Sequence, residues 1–190
     1  MNNLYHYNLN LPVEFQTTFD DPSDSFHTSF SGELINDQFR NWLAERDLQI
    51  GLSQHGHSMG RCERFMVDPK TRSSIPIHVD NPDSPNHVKL NYVFCDTPHT
   101  TVWYKLKPEK KLNFSKTSIG TNFAWAVEED CDRVFSTTIS KPCLFNATVL
   151  HAVLPVTSRR TTFSMTLVRI SDSTLITWAD AETIFKDYIC

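Results

Sequence analysis

The segment Ile75-Pro76-Ile77-His78-Val79-Asp80 sets a histidine and an aspartate two residues apart. In an extended strand, residues at i and i+2 leave the backbone on the same side. His78 and Asp80 would then present an imidazole and a carboxylate together, the start of a divalent-metal site. Alone the pair is a weak signal, since a chain with eight histidines and 22 acidic residues readily produces one by chance. A further candidate is His151, which closes the mostly apolar run Leu144-Phe145-Asn146-Ala147-Thr148-Val149-Leu150. By itself His151 reads as a satisfied core residue. Joined to His78 and Asp80 it completes a set of two histidines and one carboxylate. Such a set caps one face of an octahedral iron(II) and leaves other positions open.

Arg160 separates the competing metal chemistries. It opens the stretch Thr161-Thr162-Phe163-Ser164-Met165-Thr166-Leu167-Val168, whose alternation is clean. Phe163, Met165 and Leu167 fall on one face, with Arg160, Thr162, Ser164 and Thr166 on the other. A solvated face would explain the polar set; so would an inward face that receives a dicarboxylate. A guanidinium binds a carboxylate through two parallel, charge-assisted hydrogen bonds. Zinc hydrolysis by the same three ligands would leave Arg160 without a task.

The pattern H-x-D at 78–80, a distal histidine at 151, an arginine at 160 and a serine at 164 resembles the iron(II)/2-oxoglutarate-dependent dioxygenase superfamily. The run His151-x-Val153-x-Pro155 before Arg160 is similar to the distal half of its prolyl-hydroxylase-type members. The likeness covers residues 75–170. It implies a double-stranded β-helix, that is, a jelly-roll, cupin-like barrel. It also implies oxidation of a substrate by O2, coupled to decarboxylation of 2-oxoglutarate to succinate. By the same resemblance, His78, Asp80 and His151 hold Fe(II), and Arg160 with Ser164 binds the cosubstrate. Tyr92, with Asn91 as fallback, is a further cosubstrate contact. The two are opposite in parity, so a regular strand turns only one toward the metal. Trp103 or Tyr104 would line the substrate mouth or simply pack in the core.

These residues need a β scaffold, and the chain reads as one. Short β-like runs are expected at 48–55, 61–67, 75–80, 88–95, 100–107, 121–128, 133–139, 143–152 and 161–170, with turn residues between them. Residues 81–86 and 108–118 read as loops. Together with 20–30 they would flank the opening of the barrel. Ser31 is a candidate cap for a helix over Gly32 to about Arg46, whose Leu34, Ile35, Phe39, Trp42 and Leu43 recur at helical spacing. That helix is expected to pack outside the barrel. A short closing helix, roughly Ala181 to Tyr188, follows Asp180 as its cap. With 190 residues and no linker or repeat, a single domain over 1–190 is expected.

Composition narrows the partners. The net charge is −4 and no long basic run appears, so stable nucleic-acid binding is not expected. No apolar run approaches the ~18 residues of a membrane helix. The opening Met1-Asn2-Asn3-Leu4-Tyr5-His6-Tyr7 lacks the basic start and apolar core of a signal peptide. The five cysteines are odd in number and form no C-x-x-C pair, which fits a reduced cytoplasm. Asn146-Ala147-Thr148 and Asn113-Phe114-Ser115 match glycosylation triplets but read as chance. His55-Gly56-His57 suggests a cupin site, yet Glu63 follows too late for that motif. Gly51-Leu52-Ser53-Gln54-His55 lacks the second glycine of a nucleophile elbow. The substrate, a small molecule or a peptide, is left open. The alternative to an enzyme is a non-catalytic jelly-roll binding protein.

Overall fold

The computed structural model describes residues 4–11, 27–29, 48–70, 74–84, 87–116 and 122–190. The helix expected over 32–46 lies outside them. The described chain is mainly β. Its strands are β1 (His6–Asn8), β2 (His27–Ser29), β3 (His57–Val67), β4 (Ile75–Asp80), β5 (Val88–Cys95) and β6 (His99–Leu106). They continue as β7 (Asn113–Lys116), β8 (Asn122–Trp125), β9 (Cys131–Ile139), β10 (Cys143–Asn146), β11 (His151–Val153) and β12 (Arg160–Arg169).

The strands form two antiparallel sheets. The first has the order β1-β10-β5-β12-β3-β2 and the second β7-β8-β4-β11-β6-β9. From β3 to β6, and again from β9 to β12, the chain passes from one sheet to the other at each connection. Side chains of the two sheets meet between them: Phe145 of β10 sets its ring edge-on to His151 of β11, with centroids 4.7 Å apart.

The apolar residues of β5 and β12 turn the other way. Leu90, Tyr92, Phe163, Met165 and Leu167 pack with Leu52, Ile176, Ala181 and Phe185. Leu52 belongs to a short helix, Leu48–Gln54, and Ala181 and Phe185 to a second, Trp178–Phe185. The first sheet therefore buries one apolar face under helices and turns a mixed face, polar along β12 but with Val93 and Phe145, to the space between the sheets.

Four expectations need correction. Residues 48–55 form a helix and not a strand: Leu48, Ile50 and Leu52 alternate as a strand would, but Gly56 (φ 72°) ends a helix in the left-handed conformation that suits glycine. The expected loop 108–118 contains β7, which pairs with β8. The expected strand 143–152 is broken into β10 and β11, in different sheets. Asn146 makes the break, accepting hydrogen bonds at Oδ1 from Thr148 N (3.2 Å) and Thr148 Oγ1 (2.7 Å). The triplet set aside as chance is thus a turn-forming device. Finally, the closing helix starts earlier than expected. Thr177 is its cap, and Asp180 completes a reciprocal capping box three residues on.

Phe185 has no exposed surface, so Phe185→Ala should remove about 3–5 kcal/mol of stability. Phe114, 70% exposed on β7, is the control, and its alanine variant should stay within about 0.5 kcal/mol. Urea unfolding of the two variants provides the comparison.

Candidate metal centre

Pairing of β11 with β4 sets His151 directly opposite His78. Their rings lie 4.3 Å apart between centroids. Asp80, two residues along β4, brings Oδ1 to 3.3 Å from His78 Nε2. One ligand atom from each of the three residues lies within 4.8 Å of the others. Metal–ligand bonds of about 2.1 Å require neighbouring donors ~3 Å apart, so the cluster is close to the spacing that a bound ion would impose.

Each imidazole is held in a metal-ready tautomer. Nδ1 of His78 donates to the Pro76 carbonyl (2.7 Å), and Nδ1 of His151 donates to the Val149 carbonyl (2.8 Å). A carbonyl only accepts, so the proton sits on Nδ1 and the Nε2 lone pair is left for a metal. Burial, reinforced by the neighbouring His78, pulls His151 down to about 3. The ring is neutral at any ordinary pH. Burial alone would raise the Asp80 carboxyl. The Lys89 ammonium outweighs it and holds the group well below its usual range. The donor set is two imidazoles and one carboxylate, which suits a divalent first-row metal.

A residue that the sequence reading passed over completes the arrangement. Lys89 Nζ lies 2.9 Å from Asp80 Oδ2 and 3.3 Å from Glu63 Oε2, and its side chain is 5% exposed. The signal was present in β5: Lys89 shares parity with Asn91, so a strand that turns Asn91 inward also turns Lys89 inward. A cavity of about 400 Å³ lies on the other face of the second sheet, lined by Val79, Tyr104, Leu112 and Leu150; Asp80 is at its margin and neither histidine lines it.

Strand register sorts the remaining candidates. Ser164 sits opposite Asn91, and Arg160 opposite Cys95, all on the face that carries Lys89. Tyr92 sits opposite Phe163 and belongs to the cluster under the helices. The leading choice of Tyr92 is therefore corrected to the fallback, Asn91. Arg160 is buried at 6% exposure, whereas Arg159 is exposed and reaches Met66. Thr162, between Arg160 and Ser164 on the same face, was given no role in the sequence reading. Ser164 stands roughly 13 Å along the strand from Arg160 at ~3.3 Å per residue, so Thr162 is Arg160's nearer neighbour. Trp103 pairs with His151 on the inner side, fully buried, while Tyr104 packs with the apolar residues of the second sheet. No known protein family and no curated protein matches the chain in sequence.

Two outcomes follow from this geometry. Asp80→Ala removes the only anionic donor of the cluster. Changes to the partners of metal ligands cost about 10–100-fold in affinity, so loss of this donor should cost at least a hundredfold, as read by anaerobic titration with iron(II). Equal affinity in the two proteins would exclude the cluster. The second outcome concerns acid. His151 has a folded pKa of about 3 against ~6.5 when unfolded, so between these values the unfolded chain binds more protons. Stability of the metal-free protein should fall as pH drops from about 6.5 toward 4. His6, His87 and His99 are lowered in the same direction. His151→Asn should thus reduce that slope without abolishing it, as measured by urea unfolding across the pH series.

Proposed function

We propose that this chain is a non-haem Fe(II)/2-oxoglutarate-dependent oxygenase built on a double-stranded β-helix. The strand orders support the fold. Strands β3, β12, β5 and β10 stand side by side in one sheet, and β4, β11, β6 and β9 in the other. Each set draws on strands from both halves of the chain, as two interleaved arms of a β-helix would. The His78, Asp80 and His151 cluster supports the metal.

The observation that carries the cosubstrate reading is Arg160. It is buried and has no acidic partner among the described residues, and burial pulls its guanidinium down to about 10. A buried cation without a counter-charge costs several kcal/mol, which an anionic ligand would offset. The inner side keeps further polar atoms unmatched: Thr162 Oγ1, Asn91 Oδ1 and Trp103 Nε1 are buried without hydrogen-bond partners among the described residues. Unmatched groups of this kind are uncommon in native interiors and point to a missing polar ligand. A dicarboxylate with one end at the metal and the other at Arg160 satisfies both requirements.

When bound, iron supplies the redox chemistry that couples 2-oxoglutarate decarboxylation to succinate with oxidation of a substrate by O2. The chain's own residues do the rest. Arg160 grips the distal carboxylate as a two-pronged donor, with Thr162 next to it and Ser164 and Asn91 farther along the same face. Phe145 and Trp103 wall the interior beside His151 and keep water away from it.

Arg160→Ala should weaken 2-oxoglutarate binding to the iron(II)-loaded protein a hundredfold or more, because losing one partner of a buried charged pair costs ~3–5 kcal/mol. Lysine should rescue only in part, lacking the planar fork. Arg159→Ala should leave binding within about threefold, as an exposed side chain. Anaerobic titration of 2-oxoglutarate into each variant, with circular dichroism as the folding check, decides between them. Unchanged affinity in folded Arg160→Ala would leave the non-catalytic binding protein as the better reading.

A further inference from the structure

The inference concerns Lys89 and rests on the metal reading above. Lys89 belongs to the first sheet, yet its ammonium reaches Asp80 in the second. Its position is over-determined. Glu63 Oε2 holds Nζ at 3.3 Å, the Phe65 ring lies under it at 5.5 Å, and Arg61 Nε holds the other Glu63 oxygen at 3.3 Å. The two oxygens of Asp80 are thereby given different tasks. Oδ1 points to His78 Nε2 and joins the ligand cluster, while Oδ2 is engaged by Lys89 at 2.9 Å.

We propose that Lys89 is a positioning residue of the metal centre, holding Asp80 Oδ2 so that Oδ1 alone ligates the ion, and setting beside that ion a fixed positive charge that favours the divalent over the trivalent state. The electrostatic part follows from Coulomb's law. A nearby cation raises the energy of a 3+ ion more than that of a 2+ ion, and a buried location weakens the screening. Glu63's own charge is shared with Arg61, so it offsets the ammonium only in part.

The test compares wild type, Lys89→Met and Lys89→Arg, each loaded anaerobically with iron(II). Iron affinity and the iron(III)/iron(II) midpoint potential are then measured by spectroelectrochemistry. Lys89→Met should favour the ferric ion by tenfold or more relative to the ferrous, a drop of about 59 mV for one electron. Lys89→Arg, which keeps the charge, should restore most of the difference. A merely structural lysine would change stability and leave the potential where it was. The double variant Lys89→Met with Glu63→Gln also removes the buried negative charge that faced Lys89. It keeps the measurement open if the single variant does not fold, with a smaller drop of the same sign expected. An iron-loaded, folded Lys89→Met protein with the wild-type potential overturns this inference and leaves the metal site standing. A wild-type protein that binds no iron overturns both.

Discussion

The structure turns on a short row of charges where its two sheets meet: Asp80, Lys89 and Glu63. Charges leave water at a cost of several kcal/mol each, and only close partners offset it. Asp80 belongs to β4 and Lys89 to β5, consecutive strands in different sheets. The ion pair therefore constrains how those sheets come together, and it aims a carboxylate at two imidazoles. Removing Lys89 would leave two buried carboxylates without their shared cation. The same contact thus serves the packing of the two sheets and the geometry of the cluster.

Around that row the interior is divided by strand parity. On β5 and β12, alternate residues go to the helices or to the space between the sheets. Those under the helices are apolar: Leu90, Tyr92, Phe163, Met165 and Leu167. Those between the sheets include Lys89, Asn91, Arg160, Thr162 and Ser164, a mainly polar lining that also holds Val93. The stability of the first sheet comes mainly from its apolar face. The inner face is left free to be polar, and two of its buried polar atoms, Asn91 Oδ1 and Thr162 Oγ1, have no hydrogen-bond partner among the described residues.

The sequence made much of this legible. The two-residue spacing of His78 and Asp80 survives as a shared strand face, because β geometry is local. The alternation after Arg160 held for the same reason and distinguished Arg160 from Arg159. Tyr92 against Asn91 was framed as a parity question, and the register of β5 with β12 answers it for Asn91. The helix at Leu48–Gln54 was missed because three apolar residues at every second position mimic a strand, and the capping role of Gly56 was not weighed. The break at Asn146 was missed because an apolar run reads as one element until a side chain is seen to bond the backbone two residues on.

By itself the sequence determined which residue types alternate along each strand, and so which side chains travel together to one face. It held the two-histidine, one-carboxylate set and the arginine of the following strand. Only the tertiary structure decided that His151 stands opposite His78, because their pairing joins strands more than 70 residues apart through a turn at Asn146–Thr148. It alone revealed Lys89 as the partner of Asp80. Pairing between distant strands depends on register and sheet order, which are set by the burial of whole faces. No local spacing encodes them.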